Sequence, residues 1–469
     1  MWRAVYGLLA APAFVGTLVL ALTALRAIAG QRFVDALIAR GEHRFAYSGW
    51  PTHQGVWVNL HMSRFFRQLR RGLDRQRTAT APLPSLRSPA GALRIGCVAH
   101  FSGHLGFPAS LFTARPAGVH LTIVDAVYRG VHAPYLRPLA DTYVATELDT
   151  IEGITRAAGA INDARLDLLV NGDTRSGAYL LVDRISTPCI AHYCPGSDLL
   201  YHPRVGLQLN GQPQADYFVR DYRMFCGTTQ RLLGPEMVVP FAGIYDARDI
   251  TIGAGRPWRE REPLIAFHGS LYKIARPDVL SALFELLAED RELEFVMVGK
   301  GGAADQGRIA RLAAEHGVGE RVRVLPPFGA MRDASGAVAD PGWLALKDLL
   351  SRARLAPNPW PVGGGSSRFE AYALGTPTVH MGVRFDPESW GRPQLSVTEI
   401  PHLLVPSGTA WSKAEYQALC RRCLRDEAFA TKLIEEQTEV ARAAADADGW
   451  WRQLLASHDL WRASTGRQH

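Results

Sequence analysis

The sequence predicts an α/β protein made of two doubly wound, Rossmann-like domains, each a parallel sheet with helices on both faces. Three observations carry this. Short apolar runs alternate with stretches of helical periodicity, the signature of strand–helix–strand units. The alternation runs twice, with a polar Gly-, Pro- and Arg-containing break at 246–262. At 469 residues the chain also exceeds what one compact core organises.

The first series has strand candidates at Leu93–Ala99, Leu121–Val127, Thr142–Thr146, Leu166–Val170 and Cys189–His192, and closes with Asp216–Arg220. Helical periodicity lies between them, as at Thr150–Asn162. The second series opens with a strand at Leu264–His268. A helix at Pro277–Glu289 follows, with Pro277 placed where a first turn tolerates proline. A strand at Leu293–Val298 ends in Gly299-Lys300-Gly301-Gly302. The series continues through a helix at Asp305–Glu315, a strand at Val322–Leu325, a helix at Gly342–Arg352 and a short strand at Arg354–Ala356. The resulting plan is a domain over 91–245, a second over 262–410 and helices over 411–469, ending in Trp450, Trp451, Leu454 and Leu455, which pack the tail onto the domains. Two such halves facing each other leave a cleft, and ligands in open parallel sheets bind outside the strand carboxyl ends.

The residues before 91 differ. Ala4 to Leu25 carries no charge and is rich in Leu, Ala and Val, a length that crosses a bilayer as a helix. Arg3 precedes it, and Arg26, Arg32, Arg40 and Arg44 follow. Residues 1–30 therefore read as a membrane anchor that keeps the remainder cytoplasmic. The competing readings are a cleaved signal peptide and a buried helix. Within 31–90, Phe65 to Arg77 is basic and amphipathic and suits an anionic lipid surface, and Thr78 to Pro89 reads as a linker.

Composition narrows the partners. Hydrophobic content is 47% and charged content 21%, both globular values. The formal charge of +7 favours anionic ligands such as nucleotides. Nucleic acid is not expected, because neither zinc-finger spacing nor an RNA-binding aromatic motif is present. The six Cys are too sparse for a disulfide framework. Cys420 and Cys423 have the spacing of a metal half-site, but they sit in a helical pattern with no second pair and read as structural.

The most informative stretch is Gly363-Gly364-Gly365-Ser366-Ser367-Arg368-Phe369-Glu370, followed by a Gly375 stop and a strand resuming at Thr376–Met381. A flexible turn meets two hydroxyls and a helix start, with a carboxylate one turn in. That order suits a nucleotide diphosphate, with phosphates at the helix N-terminus and ribose hydroxyls on Glu370. An ordinary Ser-capped helix start is the plainer reading. A second segment, Phe267-His268-Gly269-Ser270-Leu271-Tyr272-Lys273-Ile274, follows a strand and brings Lys273 as a point charge for phosphate. In the first half, His100-Phe-Ser-Gly-His104, Asn171-Gly-Asp173-Thr174-Arg175 and His192-Tyr-Cys-Pro195-Gly196 each follow a predicted strand and are expected to line the cleft.

Taken together, Leu271-Tyr272-Lys273-Ile274, Gly365-Ser366-Ser367 and Ala373-Leu374-Gly375-Thr376-Pro377 resemble the catalytic region of the O-GlcNAc-transferase/SPINDLY-type glycosyltransferases. Leu169-Val170-Asn171, Thr174-Arg175-Ser176-Gly177 and Pro195-Gly196 follow that family's order. The resemblance spans roughly residues 93 to 400. It implies a GT-B fold and inverting, metal-independent transfer of a hexosyl or N-acetylhexosaminyl group from a UDP-sugar to a protein, peptide or glycan acceptor, with no cofactor beyond the donor. By the same resemblance Lys273 contacts the donor diphosphate. Ser366 and Ser367 stand for two phosphate-binding Thr, and Glu370 for a ribose-binding Asp. Thr174 and Arg175 lie on the acceptor and sugar side with His100, Pro195 and Gly196. His104, Asp173 and His100 are the candidate bases. Gly364, Gly365, Ser270 and Tyr272 complete the donor set. Two positions depart from the family pattern: Gly365 stands where relatives carry His, and Ser270 where they carry Gln. The tetratricopeptide array of the family is absent. A UDP-sugar epimerase of similar layout and a non-catalytic nucleotide-sugar-binding membrane scaffold are the alternative readings.

Overall fold

The computed structural model describes residues 92–99, 109–126, 136–148, 151–172, 181–182, 184–194, 204–210, 238–240, 244–245, 247, 250–327, 341–360, 363–381 and 403–464. The expected anchor at 1–30, the basic segment at 31–90 and the closing Asp216–Arg220 lie outside them. Among the described residues no helix is long and apolar enough to cross a membrane. The chain divides into two compact units. Unit 1 takes 1–241, 385–395 and 451–469, and unit 2 takes 242–384 and 396–450.

Unit 1 is a seven-stranded parallel sheet. Its strands are β1 (Leu93–Ala99), β2 (Val119–Asp125), β3 (Thr142–Ala145), β4 (Leu168–Asn171), β5 (Cys189–Cys194), β6 (Leu207–Asn210) and β7 (Val238–Pro240), in the order β3-β2-β1-β4-β5-β6-β7. The chain steps outward from β1 to β3, then returns past β1 to β4. The topological switch point therefore lies between the carboxyl ends of β1 and β4. Helices α1 (Ala109–Thr113) and α2 (Ile151–Ala164) belong to this unit. Ile154, Ala157, Ala158 and Ile161 recur at helical spacing on α2 and enter a buried cluster with Val98, Val124 and Leu169.

Unit 2 repeats the wiring. β8 (Glu262–His268), β9 (Glu294–Val298), β10 (Val322–Leu325), β11 (Ala353–Pro357), β12 (Thr378–Met381) and β13 (Thr409–Ala410) run parallel in the order β10-β9-β8-β11-β12-β13. Its switch point lies between β8 and β11. The helices are α3 (Leu271–Ile274), α4 (Pro277–Glu289), α5 (Ala303–Glu315), α6 (Pro341–Arg352), α7 (Ser366–Ala373), α8 (Lys413–Arg425) and α9 (Glu427–Ala444). A last helix, α10 (Ala447–Ser464), begins in unit 2 and ends in unit 1. The runs Glu294-Phe-Val-Met-Val298 and Ala353-Arg-Leu-Ala-Pro357 are almost wholly buried, as strands covered on both faces must be.

The two parallel sheets bear out the α/β class. Several expectations need correction. β6 and β7 were not anticipated: Leu207-Gln-Leu-Asn210 is broken by a buried polar residue, and Val238-Val-Pro240 is only three residues long. The strand expected at Leu121–Val127 starts and ends two residues earlier, and the one expected at Leu166–Val170 is displaced forward to end on Asn171. Residues 246–262 are more than a connector. Gly253 N–H donates to Ala373 O at 3.1 Å and Ile250 is buried in the unit 2 core, and just before the segment Tyr245 stacks on Phe369 with ring centroids 5.1 Å apart. The helices within 411–469 pack onto the units, as their apolar faces led one to expect. Cys420 and Cys423 on α8 are buried in the unit 2 core, where burial pushes both thiols up. In unit 1, Trp451 donates from Nε1 to Leu111 O at 2.8 Å.

Candidate functional site

The second domain builds its site at the β8–β11 switch point. β8 ends on His268, and the chain turns at once through Gly269, whose φ of +143° glycine tolerates. The turn lies against the loop after β9: Leu271 N–H donates to Lys300 O at 2.8 Å, and a Cβ on Gly299 would sit 1.6 Å from Gly269 O. Two neighbouring strand ends are thereby locked together. The short α3 that follows buries Leu271 and Ile274, which leaves Tyr272 exposed and aims Lys273 across the switch point.

On the other side, β11 runs into Asn358. This buried amide accepts from Gly364 N–H at 2.8 Å through Oδ1. A side chain at Gly363 would meet Asn358 within 2.4 Å, and one at Gly364 would meet Ser367 Oγ at 1.7 Å, so the turn needs glycine for close approach. Lys273 Nζ donates to Gly363 O at 2.8 Å. Arg368, buried within α7, reaches Gly364 O from Nε at 3.4 Å. Two cations thus hold consecutive carbonyls of one turn, which leads into Gly365 and the start of α7. The N-cap position there is Gly365, which supplies no side-chain cap of its own. The N-terminal amides of Ser366 and Ser367, the positive end of the helix dipole and the ammonium of Lys273 form a corner whose chemistry suits an anion.

Glu370 sits one turn further on the face shared with Ser366 and Ser367. It is almost fully buried and lies 2.6 Å from His268, Oε2 to Nε2. A small cavity of about 10 Å³, room for one water, lies between α7 and the strand ends, bordered by Phe267, His268, Asn358, Ser367 and Thr378. Burial lowers the Lys273 pKa. Behind α7, burial pushes Tyr372 up to about 12, and burial together with the Arg368 charge holds His380 well below the usual imidazole range.

The structure therefore brings together Lys273, Gly364, Gly365, Ser366, Ser367 and Glu370. Ser270 precedes α3 in the adjoining turn, and Tyr272 projects to solvent. Asn358, Arg368 and the pairing of His268 with Glu370 were not anticipated. The signal for Asn358 was a polar residue between two prolines after a strand. His268 was visible as the polar end of an apolar run.

His100, His104, Asp173, Thr174, Arg175, Pro195 and Gly196 lie outside the described residues. The strands that precede them are β1, β4 and β5, three neighbours in one sheet, with β1 and β4 flanking that sheet's switch point. A row of buried polar residues crosses the same region: Asn171 is in register with His192, and His192 with Gln208. Among the described residues no cluster of His, Cys, Asp and Glu is suited to a metal ion.

No family model matches the chain, and no curated protein matches it. Solved structures do. A mutant O-GlcNAc transferase of Thermobaculum terrenum aligns with a TM-score of 0.59 at 15% identity, covering 98% of this chain and 89% of that one. A glycosyltransferase from Rickettsia africae gives 0.53 at 11%, covering 80% and 100%. HepE of Anabaena, solved with UDP, gives 0.52 at 11%, covering 78% and 100%. At these identities the likeness establishes the fold, two Rossmann-like units as in GT-B enzymes.

Proposed function

We propose that the protein is an inverting, metal-independent glycosyltransferase that moves a sugar from a UDP-sugar to a protein, peptide or glycan acceptor. One observation carries the reading: a glycine-led helix start, a partly buried lysine and a His–Glu pair converge on the switch point of the second sheet. That is where open α/β sheets bind nucleotides. The fold shared with two transferases and with a protein crystallised with UDP supports it.

In this reading the acceptor atom attacks the anomeric carbon as the bond from that carbon to the β-phosphate oxygen breaks. Negative charge grows on the departing diphosphate. Lys273 and the amides at Ser366 and Ser367 stand ready to offset it without reorganising. A base supplied by unit 1, His104 or Asp173, takes the acceptor proton. Unit 1 is then the acceptor side, with Thr174 and Arg175 near the sugar. Residues 1–30 hold the enzyme at the cytoplasmic face of a membrane, an assignment tested by comparing detergent dependence with and without them.

The experiment is a panel of UDP-, GDP- and TDP-sugars read by thermal shift and turnover, with mass spectrometry of cell extract as the acceptor pool. The expected result is stabilisation by UDP-sugars and a mass increment of one sugar on an acceptor. Release of a free altered sugar with no acceptor would establish an epimerase instead, and binding without any turnover a scaffold.

A further inference from the structure

The pairing of His268 with Glu370 reverses the roles expected of an acid in this position. Glu370 is the obvious candidate for a ribose diol, yet its side chain is only 4% exposed, against 11% for His268. An ionised carboxylate only accepts hydrogen bonds, so the 2.6 Å contact has His268 donating from Nε2 to Oε2. In the neutral imidazole that assignment leaves Nδ1 as an acceptor. A ribose hydroxyl is the donor that such a nitrogen fits.

We infer that His268 is the ribose-contacting residue of the nucleotide site and that Glu370 is its positioning residue, fixing the tautomer and the ring orientation. The inference rests on the nucleotide-sugar reading above. The geometry that supports it is local. His268 is the last residue of β8, held in register with Val298 of β9, so its backbone is fixed by the sheet. Glu370 is fixed in turn by α7, whose faces bury Phe369, Ala371 and Tyr372. A ring carried on a strand end and backed by a buried carboxylate is a rigid acceptor, and such rigidity is what discrimination by a single hydroxyl requires.

The test measures binding of UDP, 2′-deoxy-UDP and 3′-deoxy-UDP by calorimetry to the full chain and to His268→Ala, His268→Gln, Glu370→Gln and the double variant, with melting temperature as the folding control. Wild type is expected to prefer UDP over at least one deoxy form by roughly tenfold, the scale of one buried hydrogen bond. His268→Ala is expected to weaken UDP by about that factor, leave the deoxy form unchanged and so erase the preference, while His268→Gln retains part of it. Glu370→Gln is expected to act in the same direction but less strongly, and to add nothing to His268→Ala in the double variant. Should Glu370→Gln erase the preference while a folded His268→Ala keeps it, the acid is the ribose contact and the inference is overturned. Wild type that binds UDP without any preference overturns it as well, leaving the nucleotide reading intact. Wild type that binds no UDP removes both.

Discussion

In unit 1 the buried polar side chains of the central sheet stand within the strands: Asn171 ends β4, His192 lies inside β5 and Gln208 inside β6, one in register with the next. In unit 2 the fully buried positions of the central strands β8 and β11 are all apolar, while the charged Glu262 and Arg354 stand exposed and half-buried. The polar groups come afterwards, from the turn at Lys273, from Asn358 and from the first turns of α7. The wiring of the two sheets is the same. The difference is what carries the chemistry: backbone ladders fix the polar row of unit 1, whereas glycine turns held by single hydrogen bonds fix the corner of unit 2. Substitution in the corner is therefore expected to act on the nucleotide, and substitution in the row on whatever unit 1 holds.

The largest expected effect is Lys273→Ala. Removing a preorganised cation from a departing diphosphate lowers transfer by roughly 10²–10³-fold, the range seen when one charge-stabilising donor is lost. The melting temperature is expected to hold, because Lys273 is held by a single bond to Gly363 O and adds nothing to the core. Turnover at the wild-type rate in this variant, with the donor identified, would remove Lys273 from the mechanism.

Gly364→Ala comes next. Its new methyl would fall 1.7 Å from Ser367 Oγ, so that hydroxyl must rotate away, and Ser367 Cβ would still press on it at 3.1 Å, enough to shift the turn slightly. The same shift would disturb the Asn358 bond to Gly364 N–H, and a buried donor left without its acceptor costs about 1–3 kcal/mol. UDP affinity is expected to fall by about tenfold or more, with transfer falling in parallel. Equal affinity in wild type and variant would show that the turn does not touch the nucleotide.

The same contrast explains what could be read from the sequence. β10 and α4 match their expected bounds because apolar residues fill them and Pro277 and flanking polar residues close them. In unit 1 the polar row hid strand ends. The expected fourth strand stopped before Asn171 and the fifth at His192, and β6 was missed because Gln208 and Asn210 interrupt it. Burial of an amide inside a parallel strand depends on partners far away in sequence, which local periodicity cannot express. At the site, the run from Gly363 to Glu370 was legible because glycine, hydroxyl and acid follow in one segment. The grip of Asn358 on Gly364 and the pairing of His268 with Glu370 were not, since each joins segments through the tertiary fold.

Unit 1 supplies the converse test. His192→Leu keeps a buried side chain of similar volume while removing the ring nitrogens from the row. Transfer is expected to fall roughly tenfold, equivalent to about 1.4 kcal/mol of transition-state stabilisation, with UDP affinity unchanged. Calorimetry with UDP and turnover on one preparation separate the two. Loss of UDP affinity as large as the loss of turnover would break the division of labour between the sheets.

The smallest effect is a pH dependence, and its sign follows from Lys273. Diphosphate binding needs the ammonium form. Burial lowers the pKa of this group below that of an ordinary lysine, so affinity for UDP is full below the lowered value and declines as pH rises through it, earlier than a solvated lysine would allow. A bound diphosphate favours the charged form and raises the pKa again, so the free protein titrates before the complex does. Lys273→Arg keeps a cation that does not titrate in this range and is expected to flatten the alkaline limb of the UDP affinity profile, even where its geometry weakens binding at neutral pH. An alkaline limb that persists unchanged in the Arg variant would place the titrating group elsewhere, with Tyr272 on the same short helix the next residue to substitute.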